Sequence, residues 1–235
     1  KNRKTLGLNP IKDVWQYWLG EKVIVACDKE LNPVKEGVAF NFIQTAYMHL
    51  QSKNHLPENV ENFINSGEPP VFISFGSNPV AKPEKFAEIF NQVAKTTKQR
   101  LIISKGWADL PDNSSSEILY VDEMPFEYLF AKLSAIVFHG GTGTMSAASK
   151  AGIPQIAFPF MADQFDNRNQ IDKLEIGPRV CDFKKITEQD ISNAITECLK
   201  NEKYKKNAVE LSNKLKDING VEMTMKQIEN ELKNK

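Results

Sequence analysis

Four short segments carry residues whose types and spacing could do chemistry. They are Gly76-Ser77, Glu123-Met124-Pro125, His139-Gly140-Gly141-Thr142-Gly143-Thr144 and Asp163-Gln164. The third is the most informative. An apolar run ends directly in His139 and three glycines, and a helical pattern starts at once. Glycine lets the backbone approach a ligand closely and take up positive φ. The first amides of a helix lack intrahelical acceptors, and the helix dipole places roughly half a positive charge beside them. A diphosphate fits such a turn without a basic cluster. Thr142 and Thr144 can add hydroxyl donors, and His139 can donate to a phosphate oxygen. The plain alternative is a tight strand-to-helix turn with Thr142 as an ordinary cap. The segment matches neither GxxxxGK[ST] nor GxGxxG, which argues against a P-loop and against a nicotinamide cofactor.

Asp163 beside Gln164 sets acceptors and donors at adjacent positions, as a polyol requires. Spacing alone favours a solvated loop there. Ser77 could reach the same edge, but taken singly it is a turn serine. Lys105 and Trp107 could touch phosphate and stack on a base; a solvated lysine and a packed indole are the simpler readings. His49 and His55 read as surface residues.

The elements that would position these segments follow from periodicity. Val71–Phe75, Leu101–Ser104, Ile118–Val121, Ala135–Phe138 and Gln155–Phe158 read as buried strands. Helices are expected from Pro83, over 126–133, from Thr142 to Ala151 with Gly152 as the stop, and over 167–174. Thr187-Glu188-Gln189-Asp190 resembles a capping box opening a helix to about Lys200. Residues 202–233 read as two further helices broken near Asn219-Gly220. Strands near five residues long that alternate with helices predict an α/β fold with a doubly wound parallel sheet. Ligands bind such sheets at the carboxyl ends of the strands, where all four segments fall. Residues 1–50 are too little to close a core, 51–69 read as a connector with a short helix opened by Pro57, and 70–235 form the main domain.

Composition sets further limits. Hydrophobic residues are 41% and charged residues 26% of 235, an ordinary globular profile. Lys plus Arg equals Asp plus Glu at 30 each, so no bulk field draws in nucleic acid or an anionic membrane. Cys27, Cys181 and Cys198 are odd in number and widely spaced. That points to a reducing, cytoplasmic setting and away from disulfides or a zinc site. No apolar run approaches the ~20 residues of a spanning helix. The chain starts at Lys1 rather than Met and is expected to be a fragment with sequence upstream.

The stretch from Pro69 to Gly177 resembles the donor-binding, carboxy-terminal domain of GT-B glycosyltransferases of family 1, with sterol glucosyltransferases and bacterial antibiotic and macrolide enzymes as the nearest in kind. The matching text is Pro-Pro-Val-Phe-Ile-Ser-Phe-Gly-Ser at 69–77, Ile-Ser-Lys-Gly-Trp-Ala-Asp-Leu at 103–110, the glycine segment from His139, Ala-Gly-Ile-Pro-Gln-Ile at 151–156 and Pro-Phe-Met-Ala-Asp-Gln at 159–164. The resemblance implies a Rossmann-like sheet, with residues 1–50 as the remnant of an amino-terminal acceptor domain. It implies that His139 contacts the diphosphate and that Gly140, Gly141, Thr142, Gly143 and Thr144 form the phosphate cradle. Asp163 and Gln164 would hold sugar hydroxyls, Met124 would offer backbone contacts to uracil, and Ser77 would lie near the phosphates.

The implied activity is inverting transfer of a hexose, glucose above others, from a UDP-sugar to a hydroxyl of a lipophilic acceptor. No metal and no cofactor beyond the donor are expected. The general base would sit in the acceptor domain, on the same or a separate chain, and peripheral membrane contact of the full-length protein stays open. The family's Pro-His-Asp is Pro125-Phe126-Glu127 here, a second histidine before the glycines is Phe138, and the plant-type ribose glutamate is Ala147. A non-catalytic nucleotide-sugar-binding module and a nucleotide-sugar epimerase are the rival readings.

Overall fold

In a computed structural model, residues 2–50, 55–76, 83–106 and 110–233 are described, apart from the side chain of Gln16. They divide into two compact units: Glu30–Asn32 with His49–Ile218, and Lys1–Lys29 and Pro33–Met48 with Asn219–Lys235.

The larger unit is built on a parallel five-stranded sheet in the order β5-β4-β3-β6-β7. Its strands are β3 (Val71–Ser74), β4 (Leu101–Ser104), β5 (Ile118–Val121), β6 (Ala135–Phe138) and β7 (Gln155–Ala157). Register runs Val71 beside Leu101 and Ala135, and Ile136 beside Gln155. The strands are near-continuous apolar runs because both faces are covered. Alternation then sorts them by face. Phe72, Ile102, Ile136, Phe138 and Ala157 join one core, while Val71, Ile73, Ile103, Val137 and Ile156 join the other.

The helices are α3 (Glu58–Asn65), α4 (Pro83–Thr97), α5 (Phe126–Leu129, continued by a 3-10 turn Phe130–Lys132), α6 (Thr142–Ala151), α7 (Gln164–Lys173), α8 (Glu188–Lys200) and α9 (Glu202–Leu215). Helix α6 stops where expected: Gly152 takes φ 68° and returns its N–H to Ala148 and Ser149 carbonyls. Helix α7 starts three residues earlier than the expected 167, at Gln164. Periodicity missed its first turn because Gln164 and Asn167 are polar yet buried. Strand β7 ends at Ala157, one residue short of the expected Phe158.

The smaller unit pairs β1 (Val23–Val25) with β2 (Phe42–Gln44) in parallel. It also contains α1 (Asn2–Thr5), α2 (Val14–Leu19) and α10 (Gly220–Lys233). Thr45 and Thr224 hydroxyls meet at 3.0 Å, and Lys22 pairs with Glu231. The observed units therefore cut the chain differently from boundaries at 50 and 70. Helix α3, inside the expected connector, buries Val60, Phe63 and Ile64 in the larger unit, and α10 groups with the amino-terminal residues. Among the described residues no helix is long and apolar enough to cross a membrane.

Candidate functional site

The strand order reverses at β3: β4 and β5 lie to one side, β6 and β7 to the other. That switch point opens a crevice at the carboxyl edge. Gly76 lies just beyond β3, and His139 directly follows β6. The imidazole lies between two glycines. A Cβ on Gly76 would come within 2.9 Å of its Cε1, and one on Gly141 within 2.5 Å of its Nε2. Gly141 therefore serves by lacking a side chain, since its φ of −66° is ordinary. Gly140 does need glycine's freedom, with φ 89°.

Burial holds the pKa of His139 below the usual imidazole value, against the opposing pull of the Ser74 backbone and the Asp163 charge. The ring is thus neutral near pH 7, and its Nδ1 is buried without a hydrogen-bond partner among the described residues.

Gly141 is the N-cap of α6 and has no side chain to cap it. The first helical bond, Met145 N to Gly141 O, leaves the amides of Thr142, Gly143 and Thr144 ahead of it without intrahelical acceptors. Thr142 is accordingly the first helical residue, not the cap.

The β7–α7 loop closes the site from the other side. Ala162 is held at φ 50°, a conformation a non-glycine residue adopts only when its surroundings impose it. Asp163 follows, exposed, and accepts from the Thr142 hydroxyl at 2.9 Å through Oδ2. Gln164 turns inward: its Oε1 accepts from the amides of Phe160 at 2.8 Å and Met161 at 3.2 Å. Its carbonyl oxygen therefore fastens its own loop, and only its amide nitrogen is left to meet a ligand.

His139, Gly140, Gly141, Thr142, Gly143, Thr144, Asp163 and Gln164 are thus brought to one crevice. Met124 is half-buried against the core in the loop beyond β5. Along the sheet β5 and β6 are separated by β4 and β3, a span of roughly 14 Å at about 4.8 Å per strand. Met124 therefore lies at the far end of the same edge. Ser77 and Trp107 lie outside the described residues. Lys105 pairs with Asp122 at 3.0 Å. His49 is half-buried and bonds the Ser146 hydroxyl at 2.9 Å, so it is not a plain surface residue.

One residue escaped sequence reasoning. Asn167, fully buried, donates through Nδ2 to Gly140 O at 2.7 Å and Thr142 Oγ1 at 3.0 Å. The signal available was its polarity at an inward position of α7, but its partners are distant in sequence. Among the described residues, no group of three or more His, Cys, Asp or Glu could hold a metal ion.

Comparison with known proteins identifies a family. A family model described as UDP-glucoronosyl and UDP-glucosyl transferase matches residues 30–223. A sterol 3-beta-glucosyltransferase of Arabidopsis thaliana is 32% identical over 191 residues, covering 80% of this chain and 30% of that protein. A vancomycin aglycone glucosyltransferase of Amycolatopsis orientalis is 31% identical over 178 residues, 75% of this chain and 43% of that protein. The chain thus spans less than half the length of these relatives. The solved glycotransferase of kitacinnamycin superposes with a TM-score of 0.75 at 20% identity, over 97% of this chain and 59% of that one. That likeness is one of fold, the GT-B arrangement.

Proposed function

The chain belongs to the UDP-glucoronosyl and UDP-glucosyl transferase family, and on that premise we propose that it supplies the donor site for inverting transfer of glucose from UDP-glucose to a hydroxyl of a lipophilic acceptor. The observation that carries this reading is the uncapped amino end of α6 beside a neutral His139 whose Nδ1 has no hydrogen-bond partner among the described residues, with the Asp163 carboxylate tied to the same turn.

The diphosphate would lie on the amides of Thr142, Gly143 and Thr144, with the uridine extended along the edge toward Met124. As the bond between the anomeric carbon and the diphosphate oxygen breaks, negative charge collects on UDP. The amides, the Thr144 hydroxyl and an imidazole N–H would stabilise it. His139 is suited to donate because it is neutral, and one nitrogen can carry the proton while the other stays bare. The Asp163 carboxylate, with Oδ2 engaged by Thr142, presents Oδ1 to a sugar hydroxyl.

The acceptor oxygen attacks the anomeric carbon from the face opposite UDP and inverts it, and its proton passes to a general base. We assign that base to an amino-terminal acceptor domain, on the same polypeptide or another. The name of one relative, a sterol 3-beta-glucosyltransferase, supports a lipophilic acceptor. A cytoplasmic setting belongs to the same reading and is supported by cysteines that are few, odd in number and widely spaced.

Titration calorimetry tests the site. UDP and UDP-glucose should bind with no added metal, and Asp163→Ala should weaken UDP-glucose about tenfold, one lost hydrogen bond to a charged group, while UDP changes little. Binding that requires added metal, or equal losses for the two ligands, would overturn the assignment.

A further inference from the structure

Asn167 joins two loops that the proposed function assigns to different parts of the donor. Its Nδ2 donates to Gly140 O and Thr142 Oγ1 in the diphosphate turn and lies 3.4 Å from Asp163 Oδ2 in the sugar loop. Its Oδ1 accepts from Asn32 Nδ2. The amide orientation is dictated by these surroundings: a carbonyl, a hydroxyl oxygen and a carboxylate face the nitrogen, and a donor faces the oxygen. By donating to Thr142 Oγ1, Asn167 occupies the acceptor side of that hydroxyl and directs its proton to Asp163 Oδ2, 2.9 Å away. Asp163 Oδ2 is thus satisfied by the protein. Oδ1 makes no hydrogen bond among the described residues.

The holder of Asn167 comes from an unexpected part of the chain. Glu30–Asn32 belong to the larger unit although Lys29 and Pro33 on either side belong to the smaller one. Leu31 is 1% exposed and enters the core with Phe72 and Phe138, and this anchors Asn32 beside Asn167.

We propose that Asn167, held by Asn32, is a positioning residue that sets the Asp163 carboxylate in register with the diphosphate turn, so that sugar recognition depends on a side chain from the amino-terminal segment. The proposal rests on the donor-site reading above. It separates Asn167 from a plain packing residue, because the amide works through Asp163 and Thr142 and not through bulk.

Calorimetry with UDP and UDP-glucose decides it. Asn167→Asp keeps the shape but sets a carboxylate against Gly140 O and Asp163, and should weaken UDP-glucose about tenfold at pH 7.5 with UDP affected less than about threefold. Lowering the pH to 5 should recover part of the loss relative to wild type, because the new carboxyl then regains a proton to donate. Asn32→Ala, at a half-buried position, should weaken UDP-glucose about threefold with UDP unchanged. In an Asp163→Ala background, Asn32→Ala should add nothing, since the carboxylate it helps to place is gone. Equal losses for the two ligands, or losses that add fully in that background, would overturn the positioning role. Wild-type protein that binds neither ligand would instead sink the donor-site reading and this inference with it.

Discussion

Helices α6 and α8 begin in opposite ways on the same scaffold. At α8, Thr187 caps the Asp190 amide and the Asp190 carboxylate returns to the Thr187 amide at 2.9 Å, so the side chains satisfy both donors. At α6 the cap is Gly141, no side chain accepts from the first amides, and a neutral imidazole stands beside them. The first arrangement maximises local stability. The second leaves donors and dipole at the crevice for water or a bound anion to satisfy. The difference teaches that the glycines after His139 are spent on access and on room for the ring, whereas a cap would have stabilised the helix by about 1 kcal/mol.

Gly141→Val should have the largest effect. Its side chain would meet His139 Nε2, where even a Cβ comes to 2.5 Å, and UDP affinity should fall about a hundredfold, roughly 3 kcal/mol by calorimetry. His139→Ala keeps the uncapped turn and removes one donor, so a loss near tenfold is expected.

The histidine also has a pH signature. Burial depresses its folded pKa below the ordinary 6.5, so the unfolded chain binds more protons on acidification. Its stabilising contribution is complete above about pH 6.5 and is lost as pH falls toward the folded value. Urea unfolding of wild type and His139→Gln should therefore converge or cross between pH 7 and pH 5, to the disadvantage of wild type at the lower pH.

Thr187→Ala strikes the other helix: stability should drop about 1 kcal/mol, a melting shift of about 2–4 °C, with UDP affinity intact. The smallest effect is expected from Lys105→Gln. That lysine's charge is given to a largely exposed Asp122, so UDP affinity should stay within about twofold and stability within about 0.5 kcal/mol. A large loss would mean that a cation, and not amides alone, serves the diphosphate.

Much of this was legible in the residues. Val71–Ser74 and Ala135–Phe138 announce buried strands by unbroken apolar character, Thr187 and Asp190 announce a cap by spacing, and Gly152 announces a helix stop. The glycine turn was legible as a tight strand-to-helix junction because a strand pattern ends and a helical one begins with no room for a longer loop. Gln164 was only half legible. Its type suits a sugar, but that its carbonyl oxygen fastens Phe160 and Met161 depends on how the backbone turns at Ala162.

What the sequence determined by itself was therefore most elements of the larger unit, the parallel sheet and the edge proposed to carry the chemistry, because hydrophobic period, caps and glycine turns act over a few residues. Tertiary structure alone decided which side chains complete that edge. Asn32 and Asn167 stand 135 positions apart, and α10 groups with the first strands of the chain rather than with α9. No local pattern encodes such meetings, since they arise only when burial of apolar faces has brought distant segments to the same place.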